Sequence, residues 1–165
     1  VPVVSWPEKA SLTIFLDRWD DSLFKEAYSC IPQGTVGDII NERGLNYVYY
    51  DQESFYNHAL LSQVHDSAGG QVRLPTDSSW TWNDIADSLL KIKKSLEIQL
   101  KIHSYDFVIP ADLTFGFNMY KGHCHEISWK EFPTDAPTLA KVLVTNLRRM
   151  AKERGREIPE ETWRL

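Results

Sequence analysis

The hydrophobic period of this chain changes abruptly at Leu96, and that change limits the folds open to it. Over "SSWTWNDIADSLLKIKKS" the apolar residues Ile85, Leu89, Ile92 and Leu96 recur at spacings of four, three and four, with Lys91, Lys93 and Lys94 turned elsewhere. A stripe with that period is the buried side of an amphipathic helix. In "LEIQLKIH", directly after it, Leu96, Ile98, Leu100 and Ile102 alternate with Glu97, Gln99, Lys101 and His103. A period of two fits a half-buried strand.

Two more strands are expected from "DLTFGFNMY" and "HCHEISW", joined by Lys121-Gly122, whose glycine can supply the positive φ of a hairpin turn. Parallel strands would require a helical crossover between Ile102 and Leu113, and the sequence has none. Beyond them, Asp135 and Pro137 open a helix whose Leu139, Val142, Leu143, Leu147 and Met150 form one apolar stripe, closing near Gly155. The expected fold class is therefore α+β: an antiparallel meander over about residues 96–129 with amphipathic helices packed on one face.

The first half is less regular. "SLTIFLD" has the content of a strand, and "DSLFKEAYSCI" that of a short helix begun by Asp21. "TVGDIINERG" predicts a helix capped by Thr35 and stopped at Gly44, and "LNYVYYD" a strand. "QESFYNHALLSQV" reads as helical, with Phe55, Ala59 and Leu60 on one side. "HDSAGGQVRLPTDSS" is a surface loop, or a short hairpin through Gly69-Gly70.

At 165 residues and 42% hydrophobic content, one α+β domain over 1–165 is expected. No run approaches the roughly 18 apolar residues of a membrane span, and "VPVVSWPEKA" lacks a secretory signal's apolar stretch, so a soluble protein is expected. Cys30 and Cys124 are the only cysteines, which favours free thiols in the cytoplasm or another reducing compartment and leaves one bridge open.

The net charge of −5 argues against nucleic acid spread over the whole surface. "KVLVTNLRRMAKERGR" nevertheless holds six basic residues and one acid, so the segment Arg148 to Arg156 is the one route to a phosphate chain. Those same cations also suit the negative end of a helix dipole.

Candidate chemistry centres on "YKGHCHEISW". His123 and His125, two apart on a strand, share a face and could hold one zinc, manganese or magnesium ion, with His103 as third ligand and Asp106 or Glu97 completing the set. "EIQLK" resembles the second half of the PD-(D/E)xK nuclease motif: Lys101 matches its lysine, Gln99 stands where the acid belongs, and Asp84 or Asp87 would be the upstream acid. That resemblance implies metal-assisted hydrolysis, and on the hydrolase alternative Glu97, Lys101 and Asp106 are the candidate catalytic groups. "FNMYKGHCHEISWKEF" is similar to the segment before the first metal ligand of AlkB-like oxygenases, fitting at Asn118, Tyr120 and Trp129. Lys130 and Phe132 stand where the His and Asp ligands belong, so that activity is excluded.

No phosphate loop, dinucleotide fingerprint or nucleophile elbow occurs. What remains is aromatic and acidic: "DRWDD", "NYVYYDQESFY" and "WTW". Trp19, Asp20, Asp21, Tyr47, Tyr49, Tyr50, Asp51, Trp80 and Trp82 are the candidate binding residues, because aromatics concentrate at hot spots and carboxylates steer basic partners. The leading expectation is an inhibitor- or adaptor-type module that binds a basic protein and needs no cofactor. The alternative is a metal-dependent hydrolase or nuclease.

Overall fold

The computed structural model describes residues 4–5, 11–12, 25, 33–51, 53–64, 66–76, 79–102 and 104–165. The chain divides into two compact units, Val1–Val36 and Gly37–Leu165. In the first, β1 (Val4–Ser5) pairs antiparallel with β2 (Ser11–Leu12). The rest of "SLTIFLD", and "DSLFKEAYSCI" apart from Lys25, lie outside the described residues.

The second unit is α+β, three helices with small antiparallel strand pairs. Helical backbone from residue 37 runs through a π-helical segment, Ile40–Leu45, into α1 (Asn46–Tyr50). The strand expected from "LNYVYYD" is therefore helix. Ile40, Gly44 and Val48 are all buried at spacings of four, and that shared inner face outweighs the β preference of Tyr and Val. Gly44 does not stop the helix. A Cβ there would come within 2.7 Å of Leu96 Cδ2, so the glycine permits a close approach to the Leu96 side chain.

After the buried Phe55, β3 (His58–Val64) pairs antiparallel with β4 (Ser67–Val72). The helix expected over "QESFYNHALLSQV" is thus replaced by a strand, and Gly69-Gly70 lie within β4 instead of at a turn. The register slips between Leu60 and Ser62, a bulge that leaves Leu61 exposed.

α2 (Trp82–Leu96) begins where the hydrophobic period predicts, because Thr81 and Asp84 form a reciprocal capping box. The strand after it starts later than expected. Leu96 ends α2, and β5 (Gln99–Ile102) pairs with β6 (Tyr105–Val108). β7 (Leu113–Gly116) pairs with β8 (Cys124–Ile127), and among the described residues no pairing joins the two hairpins. The 96–129 meander is thus two separate strand pairs. The physical reason lies between them: Pro110 has no N–H, the Ala111 N–H donates to Glu97 Oε1 (2.8 Å), and Asp112 Oδ1 accepts from the Trp129 N–H. The β7–β8 connection is also longer than Lys121-Gly122, with a 3-10 turn at Lys121–His123, and Gly155 has the only positive φ among the described glycines.

α3 (Ala136–Glu153) is capped by Asp135, whose Oδ1 accepts from the Thr138 N–H at 2.9 Å, with Pro137 in the first turn. It ends in a Schellman motif: Gly155 (φ 59°) donates to Lys152 and Arg156 donates to Ala151. Trp82, Ile85 and Ala86 from α2 meet Leu139, Leu143, Leu147 and Met150 from α3 in one core, joined by Ile127 of β8. Leu113 and Phe115 of β7 pack against it, so one face of the β7–β8 pair rests on the helices. A last 3-10 turn, Glu160–Trp163, closes the core. Among the described residues, no helix is long and apolar enough to cross a membrane.

Candidate functional site

With Ile40, Gly44 and Val48 turned inward, the helical geometry of α1 must direct other side chains outward. Tyr49 and Tyr50 are 63% and 77% exposed, and their rings meet edge to face at 5.1 Å. Tyr47 is half-buried and sets its ring edge against the fully buried Phe55 at 5.1 Å. The tyrosine pair therefore projects from a helix pinned on its other side, which limits the ordering cost of contact.

Carboxylates surround it. Asp51 caps α1, donating its N–H to Tyr47 O and accepting from the Ser54 N–H (3.2 Å). Residues 37–54 hold Asp38, Glu42, Asp51 and Glu53 against Arg43 alone. On α2, Lys91 pairs with Asp87 at 2.9 Å. The Asp87 hydrogen bond and charge, with smaller contributions from Tyr47 and Asp51, raise the Lys91 amine above its usual range. Asp87 and Lys91 thus share an electrostatic neighbourhood with α1, a relation that depends on the packing of α1 beside α2.

The other expected binding residues divide. Trp19, Asp20 and Asp21 lie outside the described residues. Trp80 and Trp82 are corrected: at 5% and 1% exposure they are core residues. Trp82 stacks on Trp163 (6.0 Å, 10° between planes) and donates Nε1–H to Thr162 O at 2.6 Å. An indole can be buried where its N–H finds an acceptor, and the final turn supplies one.

The metal set does not assemble as expected. His103 lies outside the described residues. His123 ends the 3-10 turn before β8, so the strand alternation that would align it with His125 does not apply. The His123 ring contacts Tyr120 (4.7 Å) and the His125 ring contacts Phe115 (5.4 Å). Among the described residues, no three His, Cys, Asp or Glu side chains converge on a point. Glu97 follows α2 instead of sharing a strand face with Gln99 and Lys101, and its carboxylate accepts from Lys93 Nζ and the Ala111 N–H. Lys101 and Asp106 do face each other across β5–β6, both exposed.

The basic segment is largely engaged. Arg148 pairs with Glu160 (2.6 Å), Arg149 lies 3.9 Å from Glu153, Arg154 donates to His123 O (3.0 Å), and Arg156 sits over the Phe117 ring. The two carboxylates offset the charge of Arg148 and Arg149 alone, while Arg154 and Arg156 keep theirs. No protein-family model, curated protein or solved structure matches the chain.

Proposed function

We propose that this protein is a binding module of the inhibitor or adaptor type that engages a basic partner protein through the acidic tyrosine surface of α1. The observation that carries the reading is the exposed Tyr49–Tyr50 pair on a helix whose opposite face is buried. Paired exposed tyrosines offer large amphipathic area at small entropic cost, the usual profile of a hot spot. Asp51 and Glu53 supply the charge that would draw in lysines and arginines. A reducing compartment is part of this proposal, and the free thiol of Cys124 is compatible with it.

The test is differential capture with immobilised wild-type protein, a Tyr49→Ala/Tyr50→Ala variant and a Tyr105→Ala control, Tyr105 being as exposed as Tyr50. A true partner is retained by wild type and control and lost by the double variant. Two hot-spot tyrosines at about 2 kcal/mol each amount to at least a 100-fold loss of affinity. Added salt should slow the association. If all three proteins capture the same set equally, α1 is not the binding surface.

A further inference from the structure

In a chain of net charge −5, positive charge gathers where α3 ends against the connection between β7 and β8. Residues 117–125 hold no carboxylate, and residues 151–156 hold Lys152, Arg154 and Arg156 against Glu153 alone. That one acid lies toward Arg149, at 3.9 Å. Two contacts bring the segments together. Arg154 Nη2 donates to His123 O at 3.0 Å, and the Arg156 guanidinium carbon lies 5.0 Å from the centre of the Phe117 ring. Arg154 is half-buried, so it ties the connection to the helix and adds its charge to the surface. Arg156 is exposed and rests on a ring that itself packs against the core. A guanidinium held by a cation–π contact keeps its N–H donors for anionic acceptors.

The connection is also preorganised. The Tyr120 N–H donates to Asn118 Oδ1 (3.1 Å), the His123 N–H donates to Tyr120 O (2.8 Å), and Cys124 Sγ lies 3.2 and 3.4 Å from the carbonyl oxygens of Asn118 and Tyr120. With its backbone fixed, Tyr120 sets its ring edge to face with His123 at 4.7 Å, so close to Gly122 that a Cβ there would stand 3.1 Å from Cε1. The ring is nevertheless 67% exposed. An ordered, exposed ring loses little freedom on contact. Phe117 and Tyr120 are three residues apart, at most about 11 Å of chain, so a cation and a stacking ring fall within one short stretch of a flexible ligand.

The ligand must therefore offer negative charge and a flat apolar face in alternation. Single-stranded nucleic acid does so in every nucleotide, a phosphate for a cation and a base for an aromatic ring. A duplex keeps its base faces stacked inside, and an anionic membrane would be repelled by the net charge of the whole protein. We infer that the β7–β8 connection and the end of α3 bind single-stranded nucleic acid, with a base stacked on Tyr120 and a phosphate on Arg156. A ring face reads no base edges, so the binding is tolerant of sequence; few phosphates are neutralised, so it is weak and salt-dependent. This surface is distinct from the tyrosine pair of α1 and does not rest on it.

The experiment is fluorescence anisotropy of labelled oligothymidine and oligouridine of about ten nucleotides, titrated with the full chain at about 50 mM salt. At least one strand should bind saturably, and the pair distinguishes deoxyribose from ribose as the source of the ligand. Tyr120→Ala should weaken binding at least about 5-fold, the loss of one stacked base. Arg156→Gln should weaken it and lower the salt slope by about 0.7, one phosphate contact on a single strand. Tyr105→Ala, equally stripped of an exposed ring on β6, and Tyr49→Ala/Tyr50→Ala should bind as wild type, which separates this surface from α1. Four results overturn the inference: no saturable binding up to about 1 mM protein, unchanged binding by Tyr120→Ala, equal competition per phosphate by inorganic polyphosphate, or capture by phosphatidylserine vesicles with no binding of either strand.

Discussion

Replacing Trp82 by phenylalanine separates a core tryptophan from a binding one. Phenylalanine is smaller by about three heavy atoms, roughly 2 kcal/mol at ~0.8 kcal/mol per buried methylene-sized group. It also removes the 2.6 Å hydrogen bond to Thr162 O, leaving that carbonyl without its donor in the buried final turn. The lost bond and the stranded acceptor add about 1–2 kcal/mol. The expected destabilisation is about 3–4 kcal/mol, against a total that for such domains is about 5–15 kcal/mol. Urea unfolding followed by far-ultraviolet circular dichroism reads it directly: at a slope near ~2 kcal/mol/M, the midpoint falls by about 1.5–2 M. Because Trp82 stacks on Trp163, Trp82→Phe and Trp163→Phe should be non-additive by about 1 kcal/mol. A loss under about 1 kcal/mol, with fully additive variants, would refute the packing argument and return Trp82 to the binding surface.

Gly155→Ala should cost about 1–2 kcal/mol in the same assay, all of it backbone strain, since φ is 59° and nothing lies within 4 Å of the added Cβ. The Thr138 N–H bond to its carboxylate, followed by the Thr138 side chain and the charge of Lys141, holds the Asp135 pKa below the usual value. Its contribution is therefore present above the unfolded pKa near 3.8 and lost as pH falls through the lower folded value, so Asp135→Asn should shrink the acid-side slope of stability against pH. Burial lowers the His58 pKa, so the unfolded chain binds its proton first. Stability should be lost as pH falls below about 6.5 toward the folded pKa, and His58→Gln should flatten that window, measured by urea midpoints across pH.

Legibility in this sequence follows how local each determinant is. α2 and α3 were readable because stripe and caps lie within a few residues of one another: Thr81 with Asp84, Asp135 with Thr138, Gly155 one residue past the end. The segment 45–64 was misread twice, as strand for α1 and as helix for β3. Tyr and Val at 47–50 carry only a weak strand preference, and the deciding Ile40–Gly44–Val48 face includes a glycine that hydrophobic patterning does not count. In the candidate surface, Tyr49 and Tyr50 could be proposed from composition, whereas Asp87 and Lys91 become neighbours of α1 only through packing.

Sequence by itself therefore determined the α+β class, two capped amphipathic helices and a set of aromatic candidates, because period and capping are properties of neighbouring residues. Tertiary structure decided which aromatics are core and which are surface. Trp82 is buried because Thr162 O and the Trp163 ring, some 80 residues away, meet its indole. It also divided the expected meander into two hairpins, because the chain between them gives its Ala111 N–H to the Glu97 side chain and turns its Asp112 carboxylate to the Trp129 N–H. Burial and backbone satisfaction are set by segments distant in sequence, and no local pattern encodes which of them will arrive.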